Sequence, residues 1–97
     1  MKENDILVFY HIIRNIKEEI STGNIQYSNK KECYESKINY SELNRLQEWI
    51  LKHKKTKNIF EKLNQTCKEL RIKLISVGQT EFIHVYIKGK LLLETIL

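Results

Sequence analysis

The chain has no proline and no alanine, only three glycines and three arginines, and only two cysteines among its 97 residues. Two cysteines, Cys33 and Cys67, are too few for the multiply stapled scaffold of small secreted domains. One disulfide between them is arithmetically possible; free thiols in a reducing cytoplasm are the expectation. Missing too is any apolar run approaching the ~20 residues that span a bilayer, so no membrane partner is expected. The apolar stretch 6–13 follows acidic Glu3 and Asp5 and precedes no small-residue cleavage site, which argues against a secretory signal. The residues that are scarce are those with GC-rich codons, whereas isoleucine and lysine occur fourteen times each. That bias points to an AT-rich genome: a low-GC bacterium, its phages and plasmids, or an AT-rich virus.

Motifs with a defined chemistry are also missing. There is no glycine-rich phosphate loop, no G-x-S-x-G and no pair of carboxylates on a strand end. The soft ligands Cys33, Cys67, His11, His53 and His84 form no C-x-x-C or H-x₃-H pair, the local closure that structural zinc sites use. No metal and no cofactor are expected.

What is present is the composition of one folded domain over 1–97, with 41% apolar and 30% charged residues. Ile6, Phe9, Ile13, Ile16 and Ile20 recur at 3–4 spacing and predict a helix over about 5–21, ended by Gly23. Leu7, Val8, Tyr10 and Ile12 widen its apolar arc beyond half the circumference, so a sheet and a second helix, or a second subunit, should cover it. The competing reading of 6–13 is a buried strand. Residues 24–40 are polar; alternation at Ile25/Tyr27 and Ile38/Tyr40 fits two short strands or a loop. Leu43, Leu46, Trp49 and Ile50 predict a helix over 42–54 with Ser41 as N-cap and a cationic end at Lys52, His53, Lys54 and Lys55. Ile59, Phe60, Leu63, Cys67 and Leu70 predict a second helix over 58–70, with Asn58 and Glu61 spaced as a capping box.

The C-terminal quarter reads as an antiparallel meander, with strands at 71–77, 82–88 and 91–96 and a hairpin turned at Gly89. A Gly-Lys turn would set Ile87 against Leu92 and Ile83 against Ile96; a Lys-Gly turn shifts the pairing by one position. The predicted fold class is therefore α+β, with two or three helices packed on a small C-terminal sheet. Both hairpin faces are partly apolar, so 91–96 could also be an edge strand that a partner extends.

The net charge of +5 is uneven: residues 1–23 carry −1, 24–58 carry +4 and 59–97 carry +2. The basic middle is interleaved with tyrosines. Lys30, Lys31, Tyr34, Lys37, Arg45, Lys52, Lys54, Lys55 and Lys57 are the candidate binding residues, since lysines neutralise phosphates and tyrosines stack on bases. Glu32 and Glu35 interrupt the set. The functional expectation is a small, basic, non-enzymatic binding protein, a regulator or inhibitor carried by a phage or other mobile element. Its partner would be nucleic acid or the acidic surface of a nucleic-acid-handling protein.

Two alternatives stand beside it. One is a toxin-like ribonuclease using His84, with Tyr86, Lys88 and Arg71 on neighbouring strands for proton transfer and phosphate charge. The bland counterpart is a sheet residue packed opposite Leu93. The other is a homodimer built through helix 5–21 or the 91–96 edge. The element order also resembles a winged helix-turn-helix, in which 58–70 would enter the major groove with Lys62, Asn64, Gln65 and Lys68. The first helix of the pair is longer than that motif uses, and the connection at 54–57 lacks glycine.

Overall fold

The computed structural model describes residues 3–56 and 58–97. The elements run α1 (Glu3–Ser21), β1 (Ile25–Ser28), β2 (Cys33–Ser36), α2 (Glu42–His53), α3 (Asn58–Thr66), β3 (Leu70–Val77), β4 (Thr80–Ile87) and β5 (Lys90–Ile96). This is the expected α+β class, with a β1–β2 hairpin and a β3–β4–β5 antiparallel meander. Among the described residues no helix is long and apolar enough to cross a membrane.

Residues 6–13 are helical. Phe9, Ile12, Ile13 and Ile16 are buried, while Leu7 and Val8 from the surplus apolar arc remain exposed. Gly23 closes α1 at φ +86°, a left-handed conformation that costs glycine nothing, with its N–H on Ile20 O at 3.2 Å. The second short strand lies at 33–36, not around Ile38 and Tyr40. Tyr27 and Tyr34 pair across the hairpin, and 37–40 form bends leading to α2.

Ser41 is extended and buried at the start of α2, but its side chain makes no capping bond. The Glu19 carboxylate of α1 accepts from Glu42 N–H at 3.3 Å instead, so this N-terminus is capped across a tertiary contact. His53, expected among the cations at the helix end, is buried. Its Nδ1 lies 2.8 Å from Trp49 O, its Nε2 is 3.5 Å from Asp5 Oδ2, and its ring stacks on Trp49 at 4.1 Å. The α2 end is thereby tied to the start of α1.

α3 stops at Thr66, four residues short of the expected end, so Cys67 and Leu70 are not on its face. Side chains take its last carbonyls. Thr66 Oγ1 donates back to Lys62 O at 3.0 Å, and the Arg71 guanidinium donates to Asn64 O at 3.0 Å. Asn64 itself bonds the edge of β3 twice, accepting from Ile72 N–H at 2.7 Å and donating to Ile72 O at 2.9 Å. The amide acts as one residue of an extra strand and turns the chain into the sheet. Both cysteines are free, as the composition implied.

The Gly89 turn corrects the favoured register. Lys88 at φ +50° and Gly89 at φ +80° form a Lys-Gly type I′ turn, and Lys88 N–H bonds Glu69 O at 2.8 Å. Ile87 therefore faces Lys90, not Leu92. A register shift then falls opposite Val85 and Tyr86: Tyr86 faces Leu91, Val85 faces Leu93, and Leu92 is the extra residue of a β-bulge. Beyond it Ile83 faces Thr95, not Ile96.

The inner face of the meander carries Leu70, Ile72, Ile83, Val85 and Ile87 into one core with Phe9, Ile16, Leu46, Trp49, Ile50, Ile59 and Leu63. β2 packs along the outer side of β5, where Cys33 Sγ lies 3.8 Å from Leu92 O, so the edge expected at 91–96 is partly covered. On the inner face Thr95 Oγ1 is buried, and no described residue hydrogen-bonds it. Replacing it with an isosteric methyl removes an unmet polar group. Thr95→Val is expected to raise stability by about 1 kcal/mol, read as a higher urea midpoint.

Candidate functional site

The sequence-selected cations do not converge. Lys30 and Lys31 lie in the turn joining β1 to β2, and Lys31 Nζ pairs with Glu35 at 2.9 Å. Tyr34 is half-buried against the core and edge-on to Tyr27, with ring centres 5.3 Å apart. Lys37 is exposed after β2. Arg45 Nη1 sits 3.1 Å from both oxygens of Glu42. Lys52 is exposed on the last turn of α2, about 15 Å from that helix's start at 1.5 Å per residue. Lys54 and Lys55 border a cleft of about 540 Å³ with Gln79, Thr80 and Leu97. Lys57 lies outside the described residues. Tyr27 sits under Lys90 at the start of β5, whereas Lys54 and Lys55 meet Ile96 and Leu97 at its end. The set is thus spread over both ends of the molecule.

Chemistry gathers on the outer face of the meander. In an antiparallel sheet, residues directly opposite share a face, so the register writes three rows across β3, β4 and β5. These are Arg71–Tyr86–Leu91, Lys73–His84–Glu94 and Ile75–Phe82–Ile96. Arg71, Lys73, Glu94 and Ile96 are exposed, and even the central-strand residues Phe82, His84 and Tyr86 are only half-buried. Phe82, His84 and Tyr86 form a file of rings along β4, with centres 6.5 Å and 6.0 Å apart.

Within this face three side chains are hydrogen-bonded in series. His84 Nε2 is 2.7 Å from Glu94 Oε2, and His84 Nδ1 is 3.1 Å from the Tyr86 hydroxyl. A carboxylate only accepts, so Glu94 fixes the imidazole with its proton on Nε2 and leaves Nδ1 to accept from Tyr86 O–H. The His84 side chain is 17% exposed and that of Glu94 52%, so the series runs from a sheltered imidazole to open solvent. Lys73 Nζ lies over the Tyr86 ring, 5.2 Å from its centre.

The sequence placed His84, Tyr86 and Arg71 together correctly. It missed Lys73 and Glu94, and it included Lys88, which belongs to the turn. Glu94 faces His84 only because of the Leu92 bulge. In a straight hairpin on the Lys-Gly turn His84 would face Leu93, and on the Gly-Lys turn it would face Thr95. The available signal was the break in alternation at Leu91-Leu92-Leu93.

The remaining groups are chemically quieter. Beside Glu94 a groove of about 420 Å³ runs between β2, the first half of α2 and β5. Cys33 lines it, and its thiol is pushed up by burial and by the Glu94 and Glu35 carboxylates. It is a neutral thiol, not an activated nucleophile. Among the described residues no three His, Cys, Asp or Glu side chains cluster as a metal site. Asn64, expected on a groove-reading helix face, is committed to β3. No protein family, curated protein or solved structure matches this chain.

Proposed function

We propose that the protein binds single-stranded nucleic acid on the outer face of its C-terminal sheet. The observation that carries this reading is the file of rings along β4 flanked by Lys73 and Arg71 on β3. Bases of an unpaired strand present flat π-faces, and each base stacked on an aromatic ring contributes about 1–3 kcal/mol. Neighbouring rings on one side of a strand recur about every 6.7 Å, a step comparable to one nucleotide of an extended chain. Lys73 lies where the phosphates of such a strand would run, and Arg71, which keeps one N–H on Asn64 O, lies beside it on the same face of β3. The net charge of +5 adds a longer-range attraction for a polyanion. A duplex offers no free base faces to the rings, which favours single strands.

The protein is accordingly a small regulator that acts on nucleic acid. Its size and AT-rich coding fit carriage by a phage or other mobile element. Two free thiols are in keeping with a cytoplasmic setting.

Fluorescence anisotropy with a labelled 2′-O-methyl oligonucleotide, a non-cleavable single strand, tests the reading. Lys73→Glu is expected to weaken binding at least tenfold and to lower the log–log salt slope by about one. Phe82→Ala is expected to cost at least fivefold through lost stacking. Reversing Lys52, Lys54 and Lys55 together should weaken binding only through the general field. If that triple reversal abolishes binding and Lys73→Glu leaves it intact, the partner sits on the helix ends and the sheet reading fails.

A further inference from the structure

We infer that this face also cleaves the RNA it binds, with His84 as general base and Tyr86 as proton donor. The inference rests on the single-strand reading and assigns a reaction to the same face. Solvent alone could satisfy each of these three side chains at a half-open surface. Here a carboxylate, an imidazole and a phenol are hydrogen-bonded in sequence, at 2.7 Å and 3.1 Å. The carboxylate is brought into line by a bulge, a device that re-aims side chains beside functional sites. The order is that of nucleophilic and acid–base triads, in which a carboxylate sets the tautomer and steadies the imidazolium that forms.

The reaction is transesterification within the RNA. The ribose 2′-hydroxyl takes the place of the Tyr86 hydroxyl on His84 Nδ1 and gives up its proton there. The 2′-oxygen forms a bond to the adjacent phosphorus, and the bond from phosphorus to the 5′-oxygen of the next nucleotide breaks. The Tyr86 hydroxyl, turned to that oxygen, donates its proton to it. The products end in a 2′,3′-cyclic phosphate and a 5′-hydroxyl. The His84 imidazolium then returns the proton to the Tyr86 phenolate, and the face is restored with no outside reactant. Glu94, which contacts His84 and not the RNA, is the positioning residue that supports charge on His84. Lys73, opposite His84 and over the Tyr86 ring, offsets the negative charge that builds on the phosphorane and phenolate.

The test incubates the full chain, in EDTA, with a 5′-labelled single-stranded RNA, and in parallel measures its binding to the 2′-O-methyl strand. Wild type is expected to bind both strands and to cut only the RNA, leaving 2′,3′-cyclic phosphate ends. His84→Gln is expected to slow cleavage about 10²–10⁴-fold. Tyr86→Phe, which keeps the ring, is expected to slow it at least 10²-fold. Glu94→Gln should slow cleavage while leaving the thermal midpoint within a few degrees. It should also shift the ¹⁵N signals of the His84 ring from one tautomer to a mixture, which lost packing alone would not do. Binding without cleavage by wild type overturns this inference and leaves the binding reading standing. Cleavage equal in wild type and His84→Gln comes from a contaminating nuclease and overturns it as well. Absence of both binding and cleavage overturns the two together.

Discussion

Trp49→Ala is expected to lower the stability of the protein by about 3–5 kcal/mol, the largest single loss the fold predicts. Trp49 is where the three helices meet. Its ring centre is 4.8 Å from Phe9 on α1, 4.1 Å from His53 on α2 and 6.5 Å from Phe60 on α3. Its indole N–H donates to Asp5 O at 3.0 Å, and only 5% of the residue is exposed. Truncation leaves a cavity lined by rings that cannot collapse into it, and it also removes the hydrogen bond that ties α2 to the first turn of α1. A domain of this size holds about 5–15 kcal/mol in all, so the variant sits near the limit of folding. The thermal midpoint should fall by about 15–30 °C, read by circular dichroism. Trp49→Phe keeps most of the packing, loses the N–H bond and should fall much less. A loss under 1 kcal/mol for Trp49→Ala would contradict this arrangement of helices.

The second large effect is expected at Asn64, a residue the sequence presents as exposed helix surface. Its amide makes both hydrogen bonds that a neighbouring strand would make to Ile72. Asn64→Leu keeps the shape and leaves an N–H and a C=O unmet at a part-buried edge. The expected cost is about 2–3 kcal/mol in urea denaturation. The freed β3 edge should also favour self-association, measured by light scattering at rising concentration. Asn64→Asp keeps the acceptor for Ile72 N–H and should lose about half as much. If Asn64→Leu behaves like an ordinary surface change, within about 0.5 kcal/mol, α3 is not pinned to the sheet in this way.

Both residues mark the boundary of what the sequence discloses. Periodicity was legible wherever packing is local. The stripe from Ile6 to Ile20, the Leu43–Leu46–Trp49–Ile50 face and the three meander strands are all realised. Tertiary substitutions for local rules were not legible. Glu19 caps α2 in place of Ser41, Thr66 and Arg71 end α3 early, and Asn64 stands in for a strand. In each case a side chain makes the hydrogen bond that the local pattern assigns to another group, from four residues away for Thr66 on Lys62 O to twenty-three for Glu19 on Glu42 N–H. In the 24–40 segment, two alternations of equal strength flank Cys33–Ser36, and neither fixes where the second strand falls.

The candidate site followed the same logic. The nine candidate residues are dense along the chain, and the fold distributes the eight described ones over the β1–β2 hairpin, the segment after it and the two ends of α2. The row Lys73–His84–Glu94 takes one residue from each of three strands, roughly ten positions apart. Two of its members were therefore invisible to any reading by proximity in sequence. Its third contact also depends on a bulge that alternation alone places one residue off.

The central claim, that the outer sheet face is where nucleic acid binds, is tested most directly by amide shift mapping. A ¹⁵N-labelled protein is titrated with the 2′-O-methyl single strand, which binds without being cut. The largest shifts are expected on Arg71, Lys73, Phe82, His84, Tyr86 and Leu91, along three adjacent strands. Shifts confined to Lys30, Lys31 and the end of α2, with β4 unmoved, would contradict it.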